Sequence, residues 1–157
     1  MEETAARAIL LAGSRALAHP GATRGLQLVL GVIAEQFGVE SAVILVPGEG
    51  RDGLEIVASF GLHGAAVEGL AAAVGNPAHP IARTYATSVA SFDVPPTAPG
   101  GPALRTHIPL VVTRGSSETV LGVLALAHEQ PIDPAKRPIL QAGADLAAVA
   151  IERDRTA

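Results

Sequence analysis

A small set of side chains in the middle of this chain has the chemistry to touch a small molecule: Phe60, His63, His79, Tyr85, Phe92, Asp93 and His107. A neutral imidazole is a competent iron ligand, so the three histidines keep haem in view. The bland alternative for His63 and His79 is an exposed loop histidine, and that is the preferred reading. His107 reads as a strand histidine bonded either to a neighbour or to a ligand. Tyr85 and Phe92 can stack on a flat ligand or belong to the core. Asp93 either accepts hydrogen bonds from a ligand or caps a turn ahead of Val94-Pro95-Pro96. Arg83 and Arg105 can meet an anion or stand solvated at the surface.

This is binding chemistry, and catalytic signatures are missing. The sequence contains no Gly-x-Ser-x-Gly elbow, no His-Glu-x-x-His and no phosphate-binding loop. The Gly-rich stretches 48–53 and 100–101 lack the strand-to-helix setting that a phosphate cradle needs. There is no cysteine. That removes disulfides, thiolate metal sites, redox thiols, Cys nucleophiles and thioether attachment of a chromophore. We expect no enzyme and no metal site.

Composition narrows the partners. The chain has 11 basic and 15 acidic residues and a net charge of −4. Lys136 is the only lysine, and no basic stripe tracks a phosphate backbone, so nucleic acid is not an expected partner. The start, Met1-Glu2-Glu3, is acidic, unlike a secretory leader. No apolar run reaches the ~18 residues of a membrane span. A cytoplasmic protein without membrane contact is expected. At 157 residues, with 48% hydrophobic and 17% charged, the chain fits one domain with its own core.

The elements that must position the candidate residues follow from periodicity. Residues 4–18 read as a first helix, broken at His19-Pro20-Gly21. Residues 24–37 read as a stronger one, with Thr23 as N-cap, Leu26, Val29, Leu30, Ile33 and Phe37 on one face, and Gly38 as its stop. Strands are expected over 40–47 and 54–60, joined as an antiparallel hairpin, with Leu54, Ile56, Ala58 and Phe60 on one inner face. A helix follows over 65–74, then one or two short turns over 79–85 and a short strand over 88–94. Residues 95–102 form a Pro-rich loop. Strands over 104–112 and 118–127 come next, the second apolar on both faces and therefore central. A helix over 134–153, capped by Asp133-Pro134, closes the chain.

This order resembles the GAF family of sensory domains over residues 23–153. Thr84-Tyr85-Ala86-Thr87-Ser88-Val89-Ala90-Ser91-Phe92-Asp93-Val94 is similar to the family's short strand ending in Asp. Arg105-Thr106-His107-Ile108-Pro109-Leu110 looks like its "hhPL" strand, and Val120-Leu121-Gly122-Val123-Leu124-Ala125-Leu126 like its "hhGhLhL" central strand. Val149-Ala150-Ile151-Glu152-Arg153 resembles the end of its closing helix. Each piece alone is a weak motif; together in this order they are fairly specific.

The resemblance implies an α+β fold of three layers. A central antiparallel sheet of 5–6 strands would carry the N- and C-terminal helices on one face, and short helices and loops on the other. A cavity would lie between the sheet and residues 60–107, lined by the candidate residues, and would take an unknown small molecule. The domain would span 1–157, with 23–153 as core and 4–20 as a linker or dimerisation element. The terminal helices would pass the change to a signalling output partner. The alternative is a homodimer built on those helices, whose small residues Gly143-Ala144 and Ala147-Ala148 would allow close approach. The bilin-binding and sulfoxide-reducing branches of the family use Cys and are excluded. The cyclic-nucleotide branch has a signature, Asn-Lys-x(n)-Phe-x(3)-Asp-Glu, that this chain does not match. A haem-binding branch places its axial His where this chain has Pro99-Gly100-Gly101-Pro102, so the expectation is no cofactor.

Overall fold

The computed structural model describes residues 7–8, 22–48, 53–95 and 104–156. The expected helix over 4–20 lies outside them, apart from residues 7–8, which are helical, and so does the loop over 95–102 beyond Pro95. The elements are α1 (Ala22–Phe37), β1 (Ser41–Pro47), β2 (Leu54–Phe60), α2 (Ala65–Ala73), α3 (Pro80–Thr87), β3 (Ser91–Val94), β4 (Leu104–Arg114), β5 (Ser117–His128) and α4 (Arg137–Thr156). The five strands form one sheet in the order β2-β1-β5-β4-β3, every pair antiparallel. The central strand is β5, as its two-sided apolar run requires.

Each face of the sheet has its own core. On one side α1 and α4 pack on the sheet and on each other. Leu26, Leu30 and Ile33 of α1 and Leu140, Ala144 and Ala147 of α4 meet Ile44, Ile108, Leu124 and Leu126 there. A fully buried Leu or Ile contributes about 1.5–3 kcal/mol, so this side holds the fold. The second core is smaller: Val43, Leu45, Val123 and Ala125 face Val74 and Ile81.

Local signals set the helix ends. Gly38 has φ of 62°, and the Val39 N–H reaches the Ala34 carbonyl at 3.2 Å, a left-handed stop closed by a bond back across the last turn. Thr23 lies inside the first turn of α1, because the helix begins at Ala22. Asp133 caps as expected, its carboxylate accepting from the Ala135 N–H at 3.0 Å, but the capped turn is a 3₁₀ turn over Pro134–Lys136 that feeds α4. The short turns expected over 79–85 merge into α3, which has His79 as N-cap and Pro80 at its first position.

Two further expectations need correction. Gly143, Ala144, Ala147 and Ala148 are buried in the chain's own core, so these small residues serve α4's packing within one chain and are not free to seat a second copy. The inner face expected for β2 also changes sides. Between Ile44 and Leu45 of β1 the partner on β2 moves from Ala58 to Ile56, so two residues of β2 stand against one of β1. Such a bulge inverts the alternation. Leu54 and Ile56 pack with the second core, while Ala58 joins the first. Edge strand β2 is partly covered by α1, whose Gln27 amide bonds the Ser59 carbonyl and accepts from the Ser59 N–H at 3.3 Å.

Candidate functional site

A cavity of about 460 Å³ lies on the sheet face away from α1 and α4. Directly opposed residues of an antiparallel pair share a face, and the register builds the floor in two rows. Val43, Ala125 and His107 stand side by side across β1, β5 and β4. Beside them run Ser41, Ala127 and Arg105, with Val94 of β3 at the end. The roof is α2. Its Ala66, Gly69, Leu70 and Ala73 recur at helical spacing and all line the cavity. No residue of α2 is buried. Leu62 and the start of α3, with His79, Pro80 and Ile81, complete the lining on the roof side.

The ionisable groups lining the cavity are basic. His79 Nδ1 accepts the Ile81 N–H at 3.1 Å, so in the neutral ring the proton sits on Nε2, which is left to donate. Burial, and then Arg105, hold the His79 pKa below its ordinary value. His107 is 4% exposed, and its buried Nδ1 has no hydrogen-bond partner. Burial first, then His79 and Arg105, push its pKa down to about 4.

A family model for the GAF domain matches residues 26–153. The chain belongs to the GAF domain family. GAF domains are a sensory and signalling family, and solved GAF structures share this fold. The GAF domain of a phosphoenolpyruvate-protein phosphotransferase from Coxiella burnetii is 14% identical with a TM-score of 0.77, covering 99% of this chain and 96% of that one. The second GAF domain of DevS from Mycobacterium smegmatis is 24% identical with a TM-score of 0.65, covering 83% and 93%. The free methionine-R-sulfoxide reductase from Neisseria meningitidis, solved with its substrate, is 14% identical with a TM-score of 0.69, covering 94% and 88%. Nothing matches among the curated proteins.

Of the residues expected to line the GAF cavity, the structure brings His79 and His107 together there. His63 is exposed in the turn before α2. Tyr85 is half-buried against the second core. Phe60 is 42% exposed, and its register partner Ala42 points into the first core, so it stands on the opposite face at the sheet edge. Phe92 packs against the first core, with the Arg137 guanidinium 4.5 Å above its ring. Arg105, outside the expected set, also lines the cavity. It lies two positions from His107 on a strand, which puts both on one face.

Asp93 also turns away from the cavity, into a polar network under α4. Between Ser91 and Val94 of β3 the partner on β4 moves only from His107 to Arg105, and Asp93 in this irregularity has φ of 55°. Its carboxylate accepts from the Ile132 N–H at 2.9 Å and from Arg137 Nη2 at 3.3 Å. Its own N–H bonds Thr106 Oγ1 at 3.2 Å. Thr106 Oγ1 lies 2.8 Å from His128 Nε2, and His128 Nδ1 lies 2.7 Å from the Gln130 carbonyl. A carbonyl only accepts, so Nδ1 of His128 carries a proton. In the neutral ring Nε2 then accepts from the Thr106 hydroxyl. The network pins β3, β4 and β5 to the start of α4. Among the described residues no group of three or more metal-ligating side chains forms, and no helix is long and apolar enough to cross a membrane.

The buried His107 makes stability pH-dependent. Above pH 6.5 the ring is neutral in both folded and unfolded chains. As pH falls from 6.5 towards 4, only the unfolded state takes the proton, so stability falls with it. The expected loss is about 3 kcal/mol across that window, with His79 adding in the same direction. Urea unfolding at about pH 7 and about pH 4.5 should show it in the wild type, and a His107→Leu variant should lose most of this acid dependence.

Proposed function

We propose that this GAF domain is a non-catalytic cytoplasmic sensor. It binds a small molecule in the cavity between the sheet and α2–α3, and relays binding through its terminal helices to a signalling partner. The observation that carries the reading is α2, an apolar helix with no buried residue, standing over an open cavity. An apolar face left uncovered gains by burying a ligand. The relay has a physical route. The strands that form the floor with Val43 and Ala125 carry Ile44 and Leu124 on their other side, against α1 and α4. Against catalysis stands the absence of any cysteine, which denies this chain thiol chemistry.

Native mass spectrometry of the purified protein, together with a thermal-shift screen of small metabolites, tests this. A retained or added small molecule is expected, and it should be lost in Ala125→Phe, whose ring would occupy the floor between Val43 and His107. A protein that stays bare and is stabilised by nothing in the screen contradicts the sensor reading.

A further inference from the structure

We propose that the cavity selects a small organic anion, with a carboxylate or phosphate head held by the Arg105 guanidinium and an apolar body lying under α2. The proposal rests on the ligand reading above and adds the chemical class.

Charge carries the argument. The ionisable side chains lining the cavity are Arg105, His79 and His107, and no Asp or Glu lines it among the described residues. The Arg105 guanidinium makes no ion pair or hydrogen bond with any described residue, although the residue is partly buried on the floor. A guanidinium withdrawn from water beside apolar walls is unfavourable without a counter-charge. The carboxylate of Asp93, on the neighbouring strand, is turned to the opposite face, onto Ile132 and Arg137. Among the described residues the positive charge therefore has no counter-ion, and the same guanidinium depresses protonation of both histidines. A guanidinium matches a carboxylate or phosphate through parallel N–H donors. His79 adds an Nε2–H donor, since its Nδ1 is occupied as the helix cap. The rest of the lining, including Val43, Leu62, Leu70 and Ala125, is apolar and suits a hydrocarbon or aromatic body.

Matched acid and amide pairs isolate the head group: hexanoate against hexanamide, benzoate against benzamide, with phenyl phosphate as the phosphate arm. Each is titrated by calorimetry into the wild type, Arg105→Gln and Arg105→Lys. In the wild type the acids should bind about ten- to a hundredfold more tightly than their amides. Arg105→Gln should bring the acids down to the amide level while amide binding persists, which also shows that the variant is folded. Arg105→Lys should keep part of the preference. The ratio of phenyl phosphate to benzoate affinity assigns the head. Amides binding as well as acids, or an acid preference untouched by Arg105→Gln, overturns the anion class and leaves the cavity as a ligand site. No binding by any probe overturns the anion proposal. The ligand reading falls with it only if native spectra and the metabolite screen are also blank.

Discussion

Gly122→Ala is expected to destabilise the protein by about 3 kcal/mol, at the upper end of the usual cost of overpacking. A Cβ at Gly122 would lie 2.2 Å from the Leu45 carbonyl oxygen and 3.1 Å from a Val46 methyl group. The first obstacle is backbone, and that backbone belongs to β1, paired with β5 in the middle of the sheet. A flexible side chain could swing aside, whereas this strand can move only by breaking its ladder. The melting temperature should fall by roughly 6–12 °C. Gly69→Ala is the control. A Cβ there meets nothing within 4 Å, and replacing a helical glycine should stabilise by up to about 1 kcal/mol. Equal melting temperatures for Gly122→Ala and the wild type would show that β1 and β5 do not approach each other this closely.

Asp93→Ala should cost about 3 kcal/mol, and Asp93→Asn only about 1. Alanine removes the acceptor for the buried Ile132 N–H and the partner of Arg137, and it must hold φ of 55°. Asparagine keeps an acceptor oxygen and tolerates the left-handed backbone, losing mainly the charge opposite Arg137. Because the Asp93 side chain lies across the sheet from the cavity, Asp93→Asn should leave affinity for a cavity ligand unchanged. Denaturant unfolding and calorimetry on the same variant separate the two effects. A large loss of ligand affinity with normal stability would return Asp93 to the cavity.

These two residues also mark where the sequence was legible. Gly122 sits in the two-sided apolar run that marks β5 as central, and the α1 face of Leu26, Val29, Leu30 and Ile33 is buried as its spacing requires. The central place of β5, the Gly38 stop and the Asp133 cap were equally local signals. The candidate site was harder because three ladder pairs in the sheet change register, at Ile44/Leu45, Ser91/Val94 and Leu110/Val111. Each shift exchanges the faces of the residues beyond it, and alternation along one strand cannot reveal it. The shift in β3 sends Phe92 and Asp93 to the α4 side, and the shift in β2 does the same for Phe60. His128 had no local signal. Its role depends on Thr106 and Gln130, which only the folded chain brings to it. Arg105 had a signal, its spacing from His107, but the missing counter-ion is visible only once the cavity is assembled.

Methyl-labelled NMR with a mixture of small aryl and alkyl fragments tests directly whether the hollow under α2 is the binding site. The prediction is that fragments shift the methyl signals of Ala66, Leu70 and Ala73 on the roof and Val43 and Ala125 on the floor. Shifts confined to the groove beside α4, around Val111, Val112 and Val149, or no shifts at all, would contradict it.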